Sequence, residues 1–273
     1  MTEIKHFLPW AAALMMGLAS AGAAQADDAL KAALAGAQRA PAAVARDAAR
    51  HPHETLSFLG IRPDMTVVEL SPGGGWYTEI LAPYLKPRGQ LILAGDDPES
   101  GVAYYRRSAE RMDKKLKADP MSFDKVRVAV FAPPNQLQYA APDSADMVLT
   151  FRSVHNWSAQ GDAVVAAVFK SVHTTLKPGG VFGVVDHRLP AGQVQDAKAS
   201  SGYVHQAYVV RLAEAAGFRL AAASEVNANP KDTVDHPGGV WALPPNFANK
   251  DKDRARFEAI GESDRFTLKF VKP

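Results

Sequence analysis

Ser71-Pro72-Gly73-Gly74-Gly75 interrupts the apolar run Val67-Val68-Glu69-Leu70 just before a stretch of helical composition beginning near Trp76. Consecutive glycines let a ligand lie against the backbone, and the N-terminus of the following helix offers free N–H groups to a carboxylate or phosphate. A tight turn packing a helix onto its strand has the same composition, so the turn alone specifies only a close approach. A P-loop requires Gly-Lys followed by Ser or Thr, and a dinucleotide fingerprint requires a glycine three residues beyond its second. Neither is present.

Other residues of chemical interest stand where strands should end. Leu91-Ile92-Leu93-Ala94-Gly95 runs into Asp96-Asp97, two carboxylates that either bind ligand hydroxyls or cap the next turn. Phe151-Arg152-Ser153-Val154-His155-Asn156-Trp157 supplies His155 as a candidate general base and Asn156 as a candidate for orienting a substrate, with helix capping or packing the competing role. Asp186-His187-Arg188 offers His187 as a second base or substrate ligand with Asp186 as its orienting carboxylate, against the alternative of a surface salt bridge; His205 follows nearby. His51, His53 and Glu54 raise the question of a metal, but residues two apart face different sides of a helix and no distant ligand completes a set. A lid is the better reading of this segment, with Arg50 available to a carboxylate. Trp76, Tyr77, Trp157 and Trp241 are candidates for aromatic walls, or simply for the core.

The elements that must hold these residues alternate. Thr66–Leu70, Gln90–Ala94, Val126–Val130, Asp146–Phe151 and Val181–Asp186 read as strands, and Trp76–Leu85, Val102–Lys117 and Ala163–Leu176 as the helices between them. Such alternation predicts a parallel sheet covered on both faces. A helix near Val204–Ala216 and strands near Arg219–Val226 and Arg265–Val271 complete the pattern, with Asn227 to Lys252 as a long surface loop. Alanine-rich stretches from Ala29 to Arg39 and from Ala42 to Arg50 read as an N-terminal helical cap.

The 273 residues suffice for one substantial core, and a net charge of +2 is too small for a phosphate-tracking surface, so small-molecule partners are favoured over nucleic acid. The absence of cysteine excludes disulfides, thiolate metal sites and cysteine nucleophiles. Phe7 to Ala19 is apolar and Ala24-Gln25-Ala26 fits a small-x-small cleavage site, which predicts a secretory signal peptide over 1–26, a periplasmic or secreted location, and no stable membrane insertion after cleavage. The expected organisation is a signal over 1–26, a helical cap over 27–60 and one α/β domain over 61–273.

The arrangement from Glu69 through Gly73 and Gly75 resembles motif I of the class I S-adenosylmethionine-dependent methyltransferases. With Arg50-His51-Pro52 and the run from Val68 to Pro83, the chain is similar to a group of bacterial predicted methyltransferases, many with signal peptides. Leu176-Lys177-Pro178-Gly179-Gly180-Val181, Ala216-Gly217-Phe218-Arg219-Leu220 and Asp264 through Phe270 fall where that fold has its fifth strand and its last two. The resemblance spans about Arg46 to Lys272. It implies a Rossmann-like methyltransferase fold, a mostly parallel seven-stranded sheet with an antiparallel last strand, and helices on both faces. It further implies S-adenosylmethionine as cofactor, with Glu69, Ser71, Gly73 and Gly75 at its methionine part and Asp96, or else Asp97, on its ribose.

Two departures stand out: Ser71 replaces the usual first glycine, and the third strand ends in Phe131-Ala132-Pro133-Pro134 without a carboxylate for adenine. The leading expectation is methyl transfer to a small molecule. An exported binding protein that kept the fold without catalysis is the alternative, and a nicotinamide oxidoreductase is disfavoured by the missing fingerprint glycine.

Overall fold

The computed structural model describes residues 24–273; the expected signal segment lies, up to residue 23, outside the described residues. Residues 24–34 form the first helix (α1), followed by two single-turn helices, α2 (Pro41–Val44) and α3 (Asp47–Arg50), and by α4 (Pro52–Leu59). His51 takes a left-handed conformation between α3 and α4, and Pro52 at the first position of α4 has no N–H to leave unsatisfied. The Ala-rich cap is therefore broken into short pieces. Left-handed His51 and the following Pro52 end α3, and left-handed Gly60 ends α4, before intrinsic propensity can extend them.

The alternating core follows as β1 (Thr66–Leu70), α5 (Thr78–Leu85), β2 (Gln90–Gly95), α6 (Ala103–Ala118), α7 (Pro120–Phe123), β3 (Arg127–Val130), β4 (Ala145–Phe151), α8 (Val154–Ser158), α9 (Asp162–Thr175) and β5 (Leu176–Leu189). It ends with β6 (Val204–His205), α10 (Gln206–Ala215), β7 (Arg219–Ser224), a 3-10 turn at Gly239–Ala242, α11 (Arg254–Ile260) and β8 (Arg265–Val271). The sheet order is β3-β2-β1-β4-β5-β8-β7, with β6 paired to the end of β5. β1 to β5 run parallel, while β8 is antiparallel to both β5 and β7. The antiparallel last strand expected at Arg265–Val271 is thus present, inserted between two strands that precede it in sequence.

The central strands β1, β2 and β4 are buried on both sides because both faces are covered, while the edge strands β3 and β7 are partly exposed. Val68, Leu70, Val148 and Val184 pack with Val165, Phe169 and Leu212 of α9 and α10. Their neighbours Val67, Leu93, Leu149 and Val185 pack with Leu30, Leu56, Leu59 and Ile80 of the cap and α5. The cap is therefore part of the core.

Three expectations change. The Lys-Pro-Gly-Gly segment belongs to β5, where a register shift against β4 between Ala145 and Met147 absorbs it. The helix expected from Val204 starts two residues later, since Val204 and His205 pair with Arg188 and Leu189. Asn227 to Lys252 is more than a surface loop: Asn227, Asp232, Val234, His236, Val240 and Leu243 are buried in it.

Candidate active site

From β1 the chain builds β2 and β3 on one side and then crosses to β4 on the other, so the β1 end is where strand order reverses. Ligands in open α/β sheets bind in the crevice at such a point. Ser71 leaves β1 with φ +50°, the left-handed region that glycine occupies most easily, and its N–H donates to the Ala94 carbonyl of β2 at 2.9 Å. Gly73 (φ +57°) and Gly74 are exposed, and a Cβ placed on either meets nothing within 4 Å. On Gly75 (φ +77°) it would press on Lys115 and Met112 of α6. The turn is therefore open to a ligand at Gly73 and Gly74 and closed behind by α6.

Glu69 is 2% exposed and accepts the Thr78 hydroxyl at 2.7 Å, tying β1 to the first turn of α5. Burial pushes its carboxyl up to about 8, partly offset by Thr78 and by the positive charge of Lys115. Asp96 lies half-buried past the end of β2, its carboxyl raised by burial against the opposing Ser108 hydroxyl and Arg111. Asp97 instead accepts the Glu99 N–H at 2.9 Å and serves its own turn, which leaves Asp96 as the carboxylate free of that duty. After β3, Phe131 is buried edge-on to Tyr139 and Trp157.

The sharpest polar construction sits beyond β4 and β5. Asp186, fully buried, accepts the Val154 and His155 N–H groups on one oxygen (2.7 and 3.3 Å), and the His187 N–H (2.8 Å) and His155 Nδ1 (2.9 Å) on the other. It thereby caps α8 and fixes His155 with a proton on Nδ1 and a lone pair on Nε2. The sequence reading paired Asp186 with His187; the structure pairs it with His155. Successive strand residues point to opposite faces, so Asp186 and His187 separate, and the His187 Nδ1 meets the Ser263 hydroxyl at 2.6 Å. The two rings lie 5.2 Å apart. His187 is held well below its usual pKa, by burial first and then by repulsion from a protonated His155 and from Arg265 and Arg50.

Donor atoms of His155, Asp186 and His187 lie within 4.8 Å of one another, close enough to share an ion. Four N–H groups already fill the acceptor positions of Asp186, however, so its carboxylate acts on imidazole and amides.

The remaining candidates disperse. Asn156 is exposed on α8, next in sequence to the buried His155. His205 pairs in β6 and its backbone N–H donates to Gln195 Oε1 at 2.7 Å. His53 bonds Asp27 at 2.6 Å, and among the described residues it forms no metal-ligand group with His51 and Glu54. Trp76 lies between Arg39 and Arg50 (5.1 and 4.6 Å from its ring) and donates to Ala43, so it anchors the cap. Tyr77 stacks on Phe151 at 3.5 Å, and Trp157 is core. Only Trp241 among the four aromatics meets a candidate catalytic group, its ring 6.1 Å from that of His155.

Arg50 is buried and bonded to Glu262, which also receives Arg46 and Arg265. Glu262, Ser263 and Arg265 are invisible as site residues in the sequence, where the first two read only as the approach to a strand and Arg265 as its first residue. Their proximity to His187 comes from the antiparallel register that sets Arg265 opposite it.

No protein-family model and no curated protein matches the sequence. In three dimensions it is similar to a SAM dependent methyltransferase from Aquifex aeolicus, 14% identical, with a TM-score of 0.54 over 84% of this chain and 93% of that one. It is also similar to geranyl diphosphate C-methyltransferase from Streptomyces coelicolor, solved with Mg2+, geranyl diphosphate and S-adenosyl-L-homocysteine, at 15% identity and a TM-score of 0.55 over 89% and 88% of the two chains. The chain has the class I methyltransferase fold. Methyltransferase-fold proteins do not all share one reaction: the [4+2]-cyclase SpnF matches at 14% identity with a TM-score of 0.54 over 83% of this chain and 81% of that one. The fold alone does not fix the reaction, which depends on the side chains at the site.

Proposed function

We propose that the protein is an S-adenosylmethionine-dependent methyltransferase acting on a small molecule, with His155 as its general base. The observation that carries this reading is the open backbone at Gly73 and Gly74, at the reversal point of the sheet and beside the strand that leads to His155. A Cβ-free turn of this shape fits the methionine part of the cofactor, with the buried Glu69 behind it and Asp96 available to the ribose hydroxyls. Phe131-Ala132-Pro133 leaves adenine to main-chain and apolar contacts.

When bound, the cofactor supplies an electrophilic methyl group on a sulfonium. The chain's own part is alignment and proton removal. His155 Nε2 takes the acceptor's proton, and Asp186 holds the ring and stabilises the imidazolium that results. His187, neutral by burial, contributes hydrogen bonding without charge. Trp241 packs edge-to-face beside His155. The second part of the proposal is that residues 1–26 export the protein to the periplasm or beyond; among the described residues no helix is long and apolar enough to cross a membrane.

Calorimetric titration of the full mature chain with S-adenosylmethionine and S-adenosylhomocysteine is the test, repeated with Asp96→Ala, for which at least tenfold weaker binding is expected. Absence of binding by either ligand overturns the proposal. Radiolabelled methyl incorporation into small-molecule extracts of the cell envelope should be lost in His155→Ala while cofactor binding persists. N-terminal sequencing of the fractionated protein checks export, with Asp27 expected as the first residue.

A further inference from the structure

We propose that Arg46, Arg50 and Arg265, gathered on Glu262, form a binding site for an oxyanion, and that this anion is a carboxylate carried by the methyl acceptor. The second half rests on the methyl-transfer reading; the first does not. Glu262 receives Arg46 Nε at 2.7 Å, Arg50 Nε at 3.0 Å and Arg265 Nη1 at 3.1 Å. Three positive charges therefore share one negative charge, in a place where Arg50 and Arg265 are 2% and 3% exposed.

Each guanidinium also keeps a buried nitrogen without a partner: Arg46 Nη2, Arg50 Nη1 and Arg265 Nε. Buried charged donors left unmatched are costly, and an arrangement of this kind is complete only when a further acceptor arrives. The nearby carboxylates among the described residues are engaged elsewhere, Asp47 by Arg39, Asp264 by Arg188 and Asp186 by His155. Arg50 is lowered to about 10, by burial and by the like charges of Arg46 and Arg265 against the pull of Glu262, as an excess of positive charge requires.

Location ties the cluster to the chemistry. Arg50 lies 4.6 Å over the ring of Trp76, directly after the glycine turn, and Arg265 is register-paired with His187. An anion held there lies between the start of α5 and the histidine pair. Guanidinium forks match the planar, two-oxygen geometry of a carboxylate. The same positive field disfavours a dication at His155 and His187.

The experiment uses the full chain, free and loaded with S-adenosylhomocysteine, with benzoate and inorganic phosphate as anion probes and benzamide as the neutral control. Benzoate should raise the melting temperature saturably in the loaded protein and benzamide should not. Arg50→Gln should weaken benzoate at least tenfold. Because that variant could fail to fold, Glu262→Gln is the second arm: it keeps all three arginines, removes their internal anion, and should tighten benzoate about tenfold. No saturable anion effect in either the wild type or Glu262→Gln overturns the site. If loading with S-adenosylhomocysteine abolishes benzoate binding and Arg50→Gln weakens S-adenosylhomocysteine instead, the cluster holds the cofactor's own carboxylate and the acceptor assignment falls. Benzoate binding in a protein that never binds S-adenosylhomocysteine supports the anion site while sinking the methyl-transfer reading.

Discussion

Glu69 shows how a single carboxyl reports on what the turn binds. Its folded pKa is raised to about 8 from an ordinary 4.5, with burial the largest cause. The folded protein therefore keeps a proton that the unfolded chain has released, so this group's contribution to stability falls as pH rises from 4.5 to 8 and levels off above. Glu69→Gln retains an acceptor for Thr78 and should flatten that slope, as urea unfolding at pH 5 and pH 8 will read. An ammonium bound next to Glu69 favours its charged form, so cofactor binding at neutral pH should release a proton in the wild type and none in Glu69→Gln. Calorimetry in two buffers of different ionisation enthalpy measures this directly. His155 and His187 illustrate the opposite lesson: both are legible as candidates, but their carboxylate and hydroxyl partners follow from the opposite faces of β5 that Asp186 and His187 occupy, Asp186 facing α8.

Two glycines separate binding from packing at the scale of elements. Gly74 has no left-handed backbone requirement and open space around its Cβ position, so Gly74→Ala should leave the melting temperature unchanged or raise stability by ~0.4–1 kcal/mol. If the turn cradles the cofactor, the same substitution should weaken S-adenosylhomocysteine at least tenfold. Gly183 on β5 behaves in the reverse way. A methyl group there would lie 2.7 Å from a Leu149 methyl and 2.8 Å from a Leu59 methyl, because the cap helix α4 presses directly on the sheet. Gly183→Ala should cost about 1–3 kcal/mol by overpacking, measured by denaturant unfolding, with ligand affinity per folded molecule little changed. In sequence Gly74 and Gly183 look alike, since a glycine's environment is not written in its own letter.

For the whole molecule, the decisive connection is long-range. β8 is the last strand made, yet it lies between β5 and β7 and carries Arg265 to the arginine cluster and Thr267 to Asn227. Deleting residues 265–273 should leave β5 with an unpaired central edge and abolish cooperative unfolding, as circular dichroism on thermal denaturation will show. The segment from Asn227 onward is fastened by the same region: Asp232, buried, accepts Tyr203 Oη, His236 Nε2 and the Asp264 N–H at 2.9, 2.7 and 2.8 Å. The same segment brings the Trp241 ring edge-to-face with His155, so a stretch rich in Pro, Gly, Asn and Asp becomes one side of the candidate site.

Local signals settled most of the strands and the presence of the glycine turn, because burial on both faces writes itself into continuous apolar runs and a left-handed turn favours glycine. β1 and β8 occur with the bounds their residues imply. Only the tertiary structure decided that Asp186 serves His155, that Trp76 belongs to the cap, and that Arg46, Arg50 and Arg265 meet on one glutamate. Those partners lie up to 216 residues apart, and no local preference of either side chain encodes a contact that exists only once β8 has entered the sheet.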